Sequence, residues 1–283
     1  MALIPIEELE KAIPLFRGKA GNAFARFLLR LINVDDIEKL NDRLSMHEGA
    51  EFARAVNEAV GISYTVDGIP REEALEHFRD KLPEGPFITI SNHPIGSLDG
   101  LMLIDFIGHL RDDYKFMVNE ILARFESLRP SLISVTPNGN ILAPPTARSI
   151  AGVREAKLHL EAGGCLGLFP AGAVSDLKLG RCPENEPRVR DREWQTSIIK
   201  FIRNAGVPVL PIRLLDGNSA FYYNLGLIDW RVRLLRLPTE MLNKAGKTLR
   251  LVTGPIITPT QISALPDLET LRHYLRASVY SLQ

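Results

Sequence analysis

The chain has 283 residues, 45% hydrophobic and 24% charged, enough to bury one large core or one core with a helical extension. Lysine plus arginine and aspartate plus glutamate number 34 each, so no overall field draws it to nucleic acid and any basic site must be local. No run approaches the roughly 18 uninterrupted apolar residues of a membrane span. No charged-then-apolar signal opens the chain, and Cys165 and Cys182 build no disulfide or metal framework. The expectation is a cytoplasmic protein, soluble or peripheral on the inner face of a membrane.

Residues 6–60 read as helical, with Pro14, Gly18 and Gly21 dividing the leader into at least two helices. Phe24, Phe27, Leu28 and Leu31 share one face, while Arg17, Lys19, Arg26 and Arg30 lie elsewhere. Such a basic amphipathic helix either packs onto the core or lies in a membrane interface with its arginines at lipid phosphates, and the pattern leaves both open. A helix start at Asp35 and helices over 51–60 and 71–81 precede the break Pro83-Glu84-Gly85-Pro86. That break divides a helical region, 1–82, from an α/β domain, 83–283.

A β-rich run, Phe87-Ile88-Thr89-Ile90-Ser91, then stops at Asn92-His93-Pro94-Ile95-Gly96-Ser97-Leu98-Asp99-Gly100, and an apolar periodic segment follows. The pattern predicts strand, tight loop, helix. Pro94 biases His93 towards extended geometry, which places the imidazole at a strand end. Asp99 is read as the helix cap, where the macrodipole favours a carboxylate. If the loop folds back, Asp99 also accepts the His93 Nδ1 proton and leaves Nε2 free to take a proton from a hydroxyl. Asn92, Gly96 and Gly100 let the backbone approach a ligand closely. Taken alone, this loop is equally a cap with a satisfied histidine or a general base with its orienting acid.

Beyond the loop, short apolar runs at 114–119, 132–136, 165–169, 207–212 and 249–253 alternate with helical patterns over 100–110, 146–161 and 194–205. The alternation predicts an α/β fold, a mainly parallel central sheet flanked by helices, carrying an N-terminal helical extension. Ligands collect at the carboxyl ends of such strands, where both the His93 loop and Phe169-Pro170-Ala171-Gly172 fall. Amides in the second loop are expected to face the cleft and stabilise an oxyanion. The remaining histidines, His47, His77, His109, His159 and His273, sit singly in helical text and are read as surface residues; no metal cluster is expected. The stretch 216–223 is read as an aromatic wall of a pocket or a packed turn. Arg231, Arg233 and Arg236 are read as an exposed strand.

Asn92-His93-Pro94-x-Gly96-x-x-Asp99-Gly100 resembles the first block of the glycerolipid acyltransferase superfamily, in the branch labelled hemolysin-like or lyso-ornithine-lipid acyltransferase-like. Five residues separate His93 from Asp99, as in that branch. Two further stretches agree in order: 168–175 resembles the Phe-Pro-x-Gly block, and 207–212 the late Val-Pro-Val-x-Pro block. The resemblance implies an O-acyltransferase that moves a fatty acyl group from an acyl thioester, acyl carrier protein or coenzyme A, to a lysolipid hydroxyl. No cofactor is implied, and attack is direct, with no covalent enzyme intermediate. It implies His93 and Asp99 as catalytic, and Asn92, Gly96, Phe169, Pro170, Ala171, Gly172 and Ser175 as substrate-binding.

Ala171 stands where the glycerol-phosphate branch has glutamate and Val174 where it has arginine, which argues against a phosphatidate-forming acceptor. Lys178 and Arg181 are the remaining candidates for an anionic headgroup or a phosphopantetheine arm, against the reading of a solvated loop. Two alternatives stand beside transfer: a lipid esterase using Ser97, and a catalytically silent lipid-binding protein.

Overall fold

The computed structural model describes residues 18, 34–119, 125–135, 146–180, 182–183, 186–228 and 230–283. Apart from Gly18, the leader expected over 6–33 lies outside them, as does Arg181. Helices α1 (Val34–Arg43) and α2 (Gly49–Val60) lead into a strand pair that the pattern did not suggest, β1 (Ser63–Val66) and β2 (Ile69–Pro70). Asp67 and Gly68 both take positive φ, 52° and 78°, which makes the two-residue hairpin turn that an Asp-Gly pair favours. The stretch before Pro83 therefore contributes strands to the central sheet as well as helices.

After α3 (Arg71–Phe78) come β3 (Ile88–Ser91), α4 (Ser97–Gly108), β4 (Tyr114–Asn119), a 3₁₀ turn (Glu126–Ser131) and β5 (Leu132–Val135). Next are α5 (Ala147–Glu161), β6 (Cys165–Leu168), β7 (Asp176–Leu177), β8 (Val189–Arg190), α6 (Thr196–Ala205) and β9 (Val209–Leu214). The chain ends with α7 (Ala220–Ile228), α8 (Trp230–Leu235), α9 (Leu237–Leu242), β10 (Thr248–Thr253), α10 (Pro259–Ser263) and α11 (Leu268–Tyr280).

Eight strands form one sheet in the order β2-β1-β10-β9-β3-β6-β4-β5, while β7 and β8 make a separate small hairpin. The strands β9, β3, β6, β4 and β5 run parallel, β1 runs parallel to β10, and β10 turns antiparallel on β9. All four residues of β3 are buried, as a central parallel strand covered on both faces must be. Ile88 and Ile90 join a core with Trp194, Ile199, Ile202, Leu271 and Leu275, under α6 and α11. Phe87 belongs to the opposite core with Phe52, Val56, Leu103 and Phe106, under α2 and α4. Full burial of each such side chain contributes about 1.5–3 kcal/mol as an upper estimate, so this sandwich holds β3, and with it the loop that follows, in place. Among the described residues no helix is long and apolar enough to cross a membrane.

Two expectations need correction. Residues 231–235 lie in α8 and Arg236 caps α9, so this stretch is not a strand; so short an alternation does not separate period 2 from 3.6. His109 and His159 are half-buried and bonded, not free surface groups. His159 Nε2 lies 2.8 Å from the Asp113 carbonyl.

His109 Nδ1 lies 3.1 Å from the Asp105 carboxylate, and Asp105 also accepts Arg71 Nε at 3.0 Å and the Tyr64 hydroxyl at 2.9 Å. The Asp105 hydrogen bond, outweighing burial, raises the His109 pKa above its ordinary value. Burial pushes the Asp105 carboxyl up, but hydrogen bonds from His109 and Arg71 overcome it and hold the group below its usual range. A raised folded-state pKa means His109 stabilises fully below its unfolded value of about 6.5, and that contribution is lost as pH rises through the folded value. Asp105 contributes above about pH 3.9 and fades as pH falls. Urea unfolding should therefore show the stability advantage of wild type over His109→Gln shrinking as pH rises above about 6.5; a difference that stays constant through that rise would exclude the coupling.

Candidate active site

At the carboxyl end of β3 the chain cannot turn into α4 without glycine. Gly96 has φ 119° and ψ −132°, and a Cβ there would stand 2.8 Å from Leu237 Cδ2 of α9. The cap position belongs to Gly96, and Asp99 lies inside the first turn, not before it as the pattern suggested. From there its carboxylate reaches back. Oδ2 accepts the amides of Ile95 at 2.8 Å and Gly96 at 2.9 Å, and lies 2.9 Å from His93 Nδ1. The fold-back expected of the loop thus exists, and one fully buried oxygen organises it.

A carboxylate can only accept, so Nδ1 carries the proton and Nε2 keeps its lone pair. The imidazole stacks on Phe169 with ring centroids 3.9 Å apart at 15°, and Phe169 rests on Phe116 at 4.6 Å. Phe169 belongs to the second motif, so the two loops meet face to face. Ser97 opens α4 and makes no hydrogen bond to His93.

The main chain of the loop is held from outside. The Ser175 amide donates to the His93 carbonyl at 2.7 Å, and the His93 amide donates to Asp191 Oδ1 at 3.2 Å. The Tyr223 hydroxyl donates to the Pro94 carbonyl at 2.9 Å, and Asn218 Nδ2 to the Ile95 carbonyl at 2.8 Å. Asp191 is a buried junction: Oδ1 also accepts the Ser175 hydroxyl at 2.6 Å, and Oδ2 accepts Trp194 Nε1 at 3.0 Å. Burial drives its carboxyl above the ordinary value, against the pull of those hydrogen bonds.

The other expected ligand-facing residues divide differently. Asn92 uses both ends of its amide on the main chain of Leu214, at 2.9 and 2.8 Å, and so ties β3 to β9. The Ser175 hydroxyl is taken by Asp191. The Gly172 amide closes its own turn on the Phe169 carbonyl at 2.9 Å, so neither it nor the Ser175 amide is an open oxyanion donor. The Pro170 carbonyl accepts the Gln195 amide, and the Ala171 carbonyl accepts Arg192 Nε. Lys178 pairs with Asp176 at 3.3 Å.

Sequence reasoning passed over Asp191, Asn218 and Tyr223 as loop supports, and Arg233. The Arg233 guanidinium, buried on α8, binds Asp176 at 2.5 Å and the carbonyls of Ser175 and Val174 at 3.2 and 3.4 Å, and lies over the Tyr222 ring. Val174, the position lacking the arginine of the related block, is thus met by an arginine from a distant helix. Asp191 stands among Arg188, Arg190 and Arg192, where nothing local distinguishes it from a solvated acid.

Residues 8–283 match the acyltransferase family. The chain belongs to that family. Two lyso-glycine lipid O-acyltransferases are similar along nearly their whole length. The protein of Bacteroides thetaiotaomicron is 27% identical over 265 residues, 90% of this chain and 88% of the relative. That of Phocaeicola vulgatus is 24% identical over 259 residues, 87% and 84% respectively.

In this acyltransferase Asp191 joins both motif loops, which makes it a sensitive point. Asp191→Asn turns one acceptor oxygen into a donor facing Trp194 Nε1 or Ser175. Denaturant unfolding should show a loss of about 1–3 kcal/mol, with near-ultraviolet dichroism of Trp194 altered. Unchanged unfolding would mean the junction does not bear on the fold.

Proposed function

We propose that the protein transfers a fatty acyl group from an acyl thioester, acyl carrier protein or coenzyme A, to the hydroxyl of a lysolipid, with His93 as general base and Asp99 as its orienting acid. The observation that carries the reading is the 2.9 Å contact of His93 Nδ1 with the buried Asp99 Oδ2, which leaves Nε2 as the basic atom. Family membership supports acyl transfer, and the relatives' names support a lysolipid acceptor, with a glycine headgroup as first choice.

In this scheme Nε2 takes the acceptor hydroxyl proton as the oxygen attacks the thioester carbonyl carbon. The tetrahedral oxyanion collapses, the carbon–sulfur bond breaks, and the thiolate leaves with the proton from the imidazolium. Asp99 stabilises the imidazolium without being protonated, and its buried oxygen holds the tautomer. The stacked Phe169 fixes the ring plane, so little reorientation is needed at the moment of reaction. Because the acceptor resides in a bilayer, the protein works at a membrane surface, on the cytoplasmic side where acyl thioesters occur.

Purified protein given acyl thioester, with and without a panel of glycine, ornithine and phosphate lysolipids, should release thiol and form diacyl product only with acceptor. His93→Ala should lower turnover by about 10²–10⁴-fold. Asp99→Asn should also lower it by at least about 10²-fold through the wrong tautomer. Ester formation undiminished in His93→Ala would overturn the mechanism, and thiol release without diacyl product would favour a hydrolase.

A further inference from the structure

Among the described residues the large apolar side chains left in solvent include Met46, Ile256 and Tyr274, but most fall in two places: α5, and α7 with the neighbouring β7–β8 hairpin. On α7, Phe221, Leu227 and Ile228 are 56%, 49% and 84% exposed. With Asn224 between them they line one helical face. The opposite face is buried through Tyr222 and Tyr223. Leu179, 74% exposed, extends the hairpin two residues past Leu177, whose side chain packs on the tyrosines. The ridge so formed is the exposed face of α7 together with Leu179 on the hairpin that packs against its buried face.

Its fringe is cationic. Arg236 lies over the Phe221 ring at 4.7 Å, Lys178 precedes Leu179, and the exposed Arg188 faces Lys178 across the hairpin, its carbonyl accepting the Lys178 amide. Among the described residues of β7 and α7–α9 the carboxylates are Asp176 and Glu240, and each is shared by two cations: Arg233 and Lys178, Arg236 and Lys244. Over residues 176–190 and 220–242 as a whole, with Glu184, Glu186 and Asp229 counted, seven lysines and arginines stand against five acids. Charge does not separate the α5 patch, where Arg148, Arg154 and Lys157 stand against Glu155 and Glu161; position does, since α5 packs on β5 and β6 whereas α7 bonds the His93 loop through Tyr223.

We propose that α7 and the flanking residues Lys178, Leu179 and Arg188 of the β7–β8 hairpin dock this protein on an anionic bilayer. Phe221, Leu227, Ile228 and Leu179 enter the acyl boundary, while Arg236, Lys178 and Arg188 meet lipid phosphates. The inference rests on the lysolipid reading and gives it a place: the inner face of the same helix holds the Pro94 carbonyl through Tyr223. The reacting loop is thus one helix thickness from the lipid, and an acceptor reaches it without crossing water.

The test uses the full chain in flotation with phosphatidylcholine vesicles, with and without phosphatidylglycerol, at low and high salt. The variants are Phe221→Gln/Leu227→Gln/Ile228→Gln and, as control, Ile150→Gln/Leu158→Gln on α5. Wild type and control should float with the anionic vesicles in a salt-sensitive way. The α7 variant should lose affinity by about tenfold or more while melting as wild type and turning over detergent-dispersed lysolipid within about twofold. Wild type that does not float, an α7 variant that floats equally well, or a wild-type dimer that this variant converts to monomer would overturn the proposal. Absent acyl transfer with vesicle binding still lost in the α7 variant would count against the lysolipid reading and leave the docking face standing.

Discussion

Everything at this site depends on one constraint: between a buried strand and the helix after it, the chain must turn through His93 to Gly96 without leaving a buried polar group unpaired. The main chain succeeds, and an orphan is left on the carboxylate that serves it, Asp99 Oδ1, buried without a hydrogen bond. The His93, Ile95 and Gly96 amides donate to Asp191 or Asp99, and the carbonyls from His93 to Gly96 accept from Ser175, Tyr223, Asn218 and Asp99. Each bond is worth only about 0.5–1.5 kcal/mol net, but losing a buried partner costs more than the bond itself. The loop therefore has one conformation, and the imidazole orientation follows from main-chain bonding as much as from its carboxylate partner.

Asp99 serves two ends at once. As a first-turn carboxylate it satisfies amides at a helix N-terminus, where the dipole favours negative charge. As the partner of His93 it sets the tautomer. The cap and base interpretations, which compete when the loop is taken alone, describe the same oxygen. Further along, Asp105 holds Arg71, Tyr64 and His109, so the helix that opens on one buried acid is locked to β1 and α3 by another.

Much of this was legible in the residues. The strand–loop–helix around His93, the parallel α/β architecture and the meeting of the two motif loops follow from short apolar runs ended by proline and glycine, because those signals are local. The supports were not legible. Asp191, Asn218 and Tyr223 reach the loop across long sequence separations, and an aspartate among arginines, an asparagine in a turn and a tyrosine beside another tyrosine have no pattern that announces a buried partner. The exchange of roles at Asn92 and Ser175, read as ligand contacts and found bonding the protein itself, has the same origin. A small polar residue beside a cleft looks alike whether it turns outward or inward. The β1–β2 hairpin is different, since its Asp-Gly pair was a usable signal beside strands too short to stand out.

The antiparallel turn of β10 onto β9 has a consequence for how such a chain can diversify. Residues 215–247 leave the sheet at Leu214 and return beside it, since Leu251 faces Leu214 and the Leu215 amide bonds the Arg250 carbonyl. The helices α7, α8 and α9 are therefore a detachable roof over a fixed floor, closed at its hinge by neighbouring strands. Closing such an excursion costs little more when it is lengthened or rebuilt. Substitutions can thus accumulate in the roof while the floor keeps its fold, provided that Asn218, Tyr223 and Leu237 still reach down to the loop beneath them.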